Sequence, residues 1–153
     1  MIFVTVGTAS YDPLIAEIDR LVGEGTIKDK VVAQIGRGSY IPKNFRYFRF
    51  MRSLEPAYKR AEVIVSTGGA GTTMECVKKG LKLVVVENKD LMEGHQAQLV
   101  GEMSRRGHLI WCKELSSLPQ CISDARRRSF TKFVSDTPRV HSLILDLLRR
   151  DNL

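Results

Sequence analysis

The sequence has little cysteine and no long apolar run. Its three cysteines, Cys76, Cys112 and Cys121, lie far apart and show no metal-ligand or redox-motif spacing. This pattern predicts reduced, buried thiols in a reducing compartment. No apolar segment approaches the roughly 18–20 residues that a membrane-spanning helix needs. The first residues, Met1 to Val4, lack the basic flank of a signal peptide and predict a strand. We therefore expect a soluble, cytoplasmic protein.

The sequence also lacks the residue sets that mark common active sites. It shows no Ser/His/Asp set, no second carboxylate suited to acid–base work and no His/Cys/Asp cluster for a metal, so we predict neither metal nor cofactor. The net charge is +7, and residues 76–153 carry 14 Lys/Arg against 9 Asp/Glu. A basic half suits nucleic acid, anionic lipid, an anionic small ligand or simply a solvated surface. Residues 126–128 are all arginine, but only Phe130 and Phe133 follow as aromatic partners, which disfavours nucleic acid.

What is present is a regular alternation of short β-branched runs and segments with helical periodicity. It predicts an α/β fold with a Rossmann-like, mostly parallel sheet and helices on both faces. The length of 153 residues suits one domain, residues 1–153. The predicted strands are Ile2–Gly7, Val31–Gly36, Tyr47–Met51, Val63–Ser66, Leu83–Glu87 and His108–Cys112. The predicted helices are Pro13–Val22, Gly71–Lys79, Glu93–Arg106 and about 138–150.

The last predicted helix carries an apolar stripe that must be covered. Its members are Val140, Leu143, Ile144, Leu147 and Leu148. The domain's own sheet, a partner chain or a membrane surface are the possible covers. The polar face also holds Ser142 and Asp146, which is unlike a surface-seeking basic helix, so we expect the stripe to pack on protein.

A glycine-rich turn follows the fourth predicted strand. In open α/β sheets ligands bind beyond the carboxyl ends of the strands, and Gly68–Thr73 lies there at the start of a helix. Glycine permits close approach, and a helix N-terminus favours an anion, so the segment suits a phosphate or diphosphate. A tight turn without any ligand is about as common. The spacing matches neither the Walker loop nor the dinucleotide fingerprint.

Three polar side chains lie near that turn. Glu75 is one helical turn beyond it, and a carboxylate there suits a pair of ribose hydroxyls; alternatively it is a favourable acidic residue near a helix start. His95 and Gln96 open the next helix and suit sugar hydroxyls, although exposure at a helix start is the commoner fate of such residues. This edge of the sheet is suited to binding and insufficient for catalysis.

At these residues the chain resembles a known family. Five motifs occur in the family's order with similar gaps, within about residues 2–118. They are Val4-Thr5-Val6-Gly7-Thr8, Gln34-Ile35-Gly36-Arg37-Gly38, Gly69-Ala70-Gly71, Lys82 to Glu87 (KLVVVE) and Leu91-Met92…His95-Gln96. The family is that of the catalytic subunit of the two-component N-acetylglucosaminyltransferase of lipid-linked oligosaccharide synthesis. It is similar to bacterial exopolysaccharide glycosyltransferase subunits and belongs to the glycosyltransferase 28 C-terminal domain family.

The resemblance implies one half of an inverting GT-B glycosyltransferase. This half would bind a UDP-sugar, and a membrane-anchored partner subunit would supply the other half and the site for a polyprenyl-linked acceptor. The chain would then be cytoplasmic and peripheral at the membrane through its partner; a non-catalytic nucleotide-binding regulatory module is the alternative. The chain has Thr67 where the family often has histidine, so no donor contact is inherited there.

The resemblance also assigns roles to individual residues, although it identifies no catalytic base. Four would hold the diphosphate: Gly69, Ala70, Gly71 and Thr72. Glu75 would hold the ribose. Four would contact the sugar or line its pocket: Asn88, Met92, His95 and Gln96. Gly7 and Thr8 would face the cleft between the two halves.

Overall fold

Short β-branched runs form one six-stranded sheet in a computed structural model, which describes residues 1–88, 94–134 and 138–151. The order is β3-β2-β1-β4-β5-β6, and every neighbouring pair is parallel. The strands are β1 (Ile2–Thr5), β2 (Val31–Gln34), β3 (Arg46–Phe48), β4 (Val63–Ser66), β5 (Leu83–Val86) and β6 (Ile110–Cys112). All six predicted strands are confirmed; most are shorter than predicted because the residues at their carboxyl ends leave the sheet to form the loops of the site.

Helices connect the strands. They are α1 (Asp12–Gly23), α2 (Glu55–Arg60), α3 (Ala70–Lys79), α4 (Gly94–Arg105), α5 (Leu118–Arg127) and α6 (Pro138–Asp151), with a 3-10 turn at Leu115–Ser117. The four predicted helices are present, whereas α2 and α5 were not predicted. Both have proline in the first turn, where its missing N–H costs nothing.

The sheet is covered on both faces, as predicted. Side chains of β1 alternate between two buried clusters: Ile2 and Val4 pack with α1 and α5, whereas Phe3 packs with α2, α3, α4 and α6. The Phe3 ring stacks on Phe48 of β3 with 6.2 Å between centroids. Because β1, β4 and β5 are buried on both faces, their sequences are mostly apolar, whereas the edge strand β3 is largely exposed.

Helix α6 packs on this domain itself. It contacts α3 and α4, and Ile144 and Leu147 of its apolar stripe are buried, while Leu143 and Leu148 are partly buried against the same cluster. The expectation that the stripe packs on protein is therefore confirmed. The side chain of Val140 lies outside the described residues.

A buried carboxylate fixes the loop between β2 and β3. Asp19 of α1 accepts hydrogen bonds from the Tyr40 hydroxyl (2.7 Å) and from the backbone N–H groups of Lys43 and Asn44 (3.1 and 2.9 Å). Burial acts to raise the pKa of Asp19, but these hydrogen bonds to its charged form outweigh burial and lower the pKa below 3.8. The loop therefore depends on an ionised Asp19.

The thiols are reduced, and two of the three are buried. Cys76 and Cys112 are buried, as predicted, whereas Cys121 is only half-buried and packs against the edge of the core cluster. No helix within residues 1–88, 94–134 and 138–151 combines the length and the apolar character needed to cross a membrane.

Candidate functional site: a cleft at the carboxyl edge of the sheet

An open cleft of about 630 Å³ lies at the carboxyl edge of the sheet. The strand order reverses between the neighbouring strands β1 and β4: the chain continues from β1 towards β3 on one side and from β4 towards β6 on the other. Open α/β sheets bind their ligands at such a point. The loops after β1, β3, β4 and β5 contribute to it, together with Gln34 at the end of β2. The lining residues are Val6, Gly7, Thr8, Ala9, Gln34, Met51, Arg52, Ser53, Leu54, Thr67, Gly69, Gly71, Thr72, Glu75, Asn88 and Gln96.

The N-terminus of α3 forms one wall of the cleft. Gly69 is the N-cap residue, and no side chain caps the helix there. The first backbone hydrogen bond of the helix runs from the Thr73 N–H to the Gly69 carbonyl, at 3.0 Å. The preceding N–H groups therefore have no partner within the helix. No acidic residue occupies the first turn, so nothing there offsets the positive end of the helix dipole. The wall is suited to an anion.

The glycines of this wall are not required by packing. A Cβ added at Gly69 or Gly71 meets nothing within 4 Å, and neither residue has a positive φ. Gly68 is different, because its φ of 85° lies in the left-handed region that glycine adopts most readily. The fold thus explains Gly68, whereas the missing side chains at Gly69 and Gly71 leave open space at the cleft wall.

Glu75 lies one turn further along α3 and lines the same cleft. Its Oε1 is 3.4 Å from the Lys79 ammonium, and Lys79 also pairs with Glu55 of α2. Hydrogen bonding to Glu55 raises the pKa of Lys79 and lowers that of Glu55, so this pair stays charged at neutral pH. Lys79 thereby links α3 to α2, whose preceding loop forms the opposite wall.

That opposite wall was missed by the sequence reasoning. Met51, Arg52, Ser53 and Leu54 lie in the loop between β3 and α2. Met51 was predicted to end a strand, and the other three follow it directly. The rule that ligands bind beyond strand ends would have found them. They add an apolar surface and an exposed guanidinium to the cleft.

The glycine motif after β2 supports the cleft without lining it. Gly36 has a φ of 55°, and a Cβ there would lie 2.1 Å from the Ala9 carbonyl oxygen. Arg49 donates from Nη1 to the carbonyls of Gly36 and Gly38 at 3.0 and 2.8 Å. The motif therefore holds the loop that carries Gly7 and Thr8 in place.

The structure brings most of the predicted site residues together. The cleft is lined by Gly7, Thr8, Gly69, Gly71, Thr72, Glu75, Asn88 and Gln96. Ala70 is the exception: it is fully buried among the side chains of the core, because α3 begins at Ala70 and turns this residue inward. Met92 lies outside the described residues. His95 lies in the first turn of α4, but its side chain is not among those described.

Known proteins share this chain's sequence pattern. The sequence model of the glycosyltransferase family 28 C-terminal domain matches residues 1–133. The UDP-N-acetylglucosamine transferase subunit ALG13 of Mus musculus is 37% identical over 124 residues, which cover 72% of this chain and 10% of that protein. The Homo sapiens protein of the same name is 32% identical over 154 residues, which cover 86% and 14%.

Solved structures show the same fold. The NMR solution structure of ALG13 superposes with a TM-score of 0.63 at 17% identity, covering 95% of this chain and 94% of that one. MurG of Acinetobacter baumannii superposes with a TM-score of 0.61 at 15% identity, covering 97% of this chain and 52% of that one. The predicted Rossmann-like fold, equivalent to the C-terminal half of a GT-B glycosyltransferase, is confirmed.

The chain belongs to the glycosyltransferase family 28 C-terminal domain family. The family predicted from the five sequence motifs is thereby confirmed. The chain spans 10–14% of the length of the two mammalian relatives.

Proposed function

We propose that the protein is the donor-binding subunit of a glycosyltransferase that uses a UDP-sugar, UDP-N-acetylglucosamine in the first instance. One observation carries this proposal: the uncapped N-terminus of α3 and the Glu75 carboxylate line the same cleft, one helical turn apart. An anion-binding helix end beside a hydroxyl-binding carboxylate matches a nucleoside diphosphate. Family membership and the similarity to mammalian UDP-N-acetylglucosamine transferase subunits support the same function.

The chemistry of the walls suggests how the donor lies. The diphosphate would accept from the N–H groups at the start of α3, where Gly69 and Gly71 leave room for it. Glu75 would accept from the ribose hydroxyls, since an ionised carboxylate accepts only. Met51 and Leu54 offer the apolar surface that suits a base.

The sugar end of the donor would then lie towards β5 and α4. Asn88, which is buried, follows β5, and Gln96 lies in the first turn of α4. Both side chains line the cleft and can donate and accept, as sugar hydroxyls require.

A partner would complete the active site. Glu75 is the only carboxylate among the described lining residues, and the ribose occupies it in this account, so none is left there to act as general base. We infer that a membrane-anchored subunit supplies the base and the site for a polyprenyl-linked acceptor. The chain would act at the cytoplasmic side of the membrane through that partner. Its own contribution to transfer would be stabilisation of the departing UDP by the α3 N-terminus.

Calorimetric titration with UDP, ATP and NAD tests the donor site. UDP should bind most tightly, and Glu75→Ala should weaken UDP binding by about 1–3 kcal/mol, roughly 5- to 150-fold, through loss of a charged hydrogen bond. Glu24→Ala is the matched control, because Glu24 ends α1 at the opposite edge of the sheet. Preference for NAD, or equal UDP binding by both variants, would refute the assignment.

A transfer assay tests whether the chain needs a partner. The purified chain should bind donor yet transfer little sugar to a polyprenyl acceptor, and adding membranes that contain the partner should restore transfer. Efficient transfer by the chain alone would contradict the split-enzyme proposal. UDP binding without transfer under any condition would identify a regulatory module instead.

A further inference from the structure

Gln34 is a buried polar side chain at the floor of the cleft. It is the last residue of β2, is only 4% exposed and still lines the cleft. Its Oε1 accepts a hydrogen bond of 2.7 Å from the Thr5 hydroxyl on the neighbouring strand. The second polar group of this amide is not among the buried polar atoms that lack a partner, which is consistent with its opening into the cleft, where a ligand can reach it.

In the structure a short chain of hydrogen bonds engages the oxygen end of the amide. The Gly7 N–H donates to Thr5 Oγ1 at 3.0 Å, which occupies an acceptor position of that hydroxyl. The single hydroxyl proton is donated to Gln34 Oε1. The amide oxygen is therefore engaged, and Nε2 is left with two donor hydrogens. Gln34 Nε2 makes no hydrogen bond to the rest of the described chain.

The register of the sheet places this donor between the two walls. Gln34, Thr5 and Ser66 are partners across β2, β1 and β4, so their side chains share the face that α2 and α3 cover. Strands are about 4.8 Å apart, which puts Gln34 about 10 Å from the β4 end that leads into α3. A nucleotide held at the start of α3 and extending towards Met51 would pass over this floor.

We propose that Gln34 binds the donor nucleotide by presenting its NH₂ group to a ligand oxygen, and that Thr5 is the positioning residue that fixes this orientation. The proposal rests on the proposed function, because it assigns a further contact within the same cleft. The oxygen acceptor belongs either to a carbonyl of the base or to the diphosphate. Because the amide oxygen is engaged, the site offers a donor only, and a ligand group that needs an acceptor there is disfavoured.

Substitutions at Gln34 test the contact through dissociation constants for uridine, UMP and UDP at pH 8. Gln34→Glu retains an oxygen for Thr5 but replaces the donor with an anionic acceptor, so the Kd for UDP should rise at least about tenfold. Gln34→Met removes the donor without adding charge and should raise the Kd by about fivefold. Gln98→Glu, on the exposed face of α4, controls for the added charge and should leave the Kd within about twofold of wild type.

Substitutions at Thr5 test the positioning. Thr5→Val removes the hydroxyl and frees the amide to turn over, so binding should weaken severalfold while the thermal transition stays cooperative. Thr5→Ser retains the hydroxyl and should restore binding. If Thr5 had only a structural role, Thr5→Val would have a lower melting temperature than Thr5→Ser. The two variants would then have the same Kd at temperatures where both are folded.

Each outcome has a fixed meaning. An equal loss for the three ligands assigns the contact to the nucleoside, and a loss that grows with phosphate number assigns it to the diphosphate; both support the proposal. UDP binding by Gln34→Glu and Gln34→Met within twofold of wild type would overturn it and leave the proposed function standing. Should Gln34→Glu not fold, Gln34→Met and the Thr5 pair decide. Absence of UDP binding by the wild-type protein would overturn both.

Discussion

Replacing Gly71 with alanine separates the requirements of the fold from those of the ligand. Gly71 lies in the first turn of α3 with ordinary helical geometry, and a Cβ there meets nothing within 4 Å. Alanine in a helix is favoured over glycine by about 0.5–1 kcal/mol, and a first-turn position should realise the lower part of that range. In the absence of ligand, Gly71→Ala should therefore be as stable as wild type or slightly more stable.

The same methyl group should harm binding. It would occupy the space at the cleft wall where the diphosphate is proposed to approach the N–H groups of α3. Displacing the ligand enough to lose one hydrogen bond to a charged oxygen costs about 1.5–3 kcal/mol, so the Kd for UDP should rise roughly 10- to 150-fold. The two effects of Gly71→Ala thus have opposite signs.

Thermal unfolding without ligand and calorimetric titration with UDP measure the two effects. Gly101→Ala is the control, because Gly101 is a helical glycine of α4 outside the cleft lining, and its added Cβ would lie 3.4 Å from the Trp111 ring. That variant should bind UDP like wild type. The reasoning is refuted if Gly71→Ala binds UDP normally, or if it loses stability and binding together.

Three further predictions concern the supports of the fold and site. Lys79→Met should weaken UDP binding severalfold by releasing Glu75, whereas Lys78→Met, which removes the same charge from the same helix, should not; titration of both variants decides. Asp19 has a lowered pKa in the folded state, so its stabilisation is present above pH 3.8 and is lost as pH falls through the folded pKa. Asp19→Asn should therefore unfold at lower temperature at pH 7 and lose less stability on acidification, as followed by circular dichroism. Ile144→Ala should lower the free energy of unfolding by about 2–5 kcal/mol in urea denaturation, because Ile144 lies on the buried face of α6. A value under 1 kcal/mol would mean that α6 does not pack on this domain.

The central strands β1, β4 and β5 were predictable because they bury both faces. Val63–Ser66 and Leu83–Val86 are unbroken runs of mostly β-branched residues between turns, and both were predicted almost to the residue. Helix α2 was missed because only Tyr58 of its six residues is buried, which leaves no periodic apolar stripe. Helix α5 could have been predicted, because its buried residues Leu118, Ile122 and Ala125 have helical spacing.

The position of the site could be predicted from the sequence, whereas several contacts of its individual side chains could not. The rule for strand ends indicated the glycine turn and Glu75, and both line the cleft. Ala70 contributes no side chain to the cleft, because the start of α3 turns that side chain into the core; a contact of its backbone N–H with the diphosphate stays a prediction. The importance of Gln34 depends on its contact with Thr5, 29 residues away, which no local pattern encodes.

Mapping UDP binding on the backbone amides tests the central claim most directly. At 17.2 kDa the chain suits nitrogen–proton correlation spectra recorded during a titration with UDP. The account predicts that the largest shifts cluster at Gly7–Thr8, Gly69–Glu75 and Gln96, around the carboxyl edge of the sheet. Shifts that cluster instead at Arg126–Arg128, or a spectrum that UDP leaves unchanged, would contradict it.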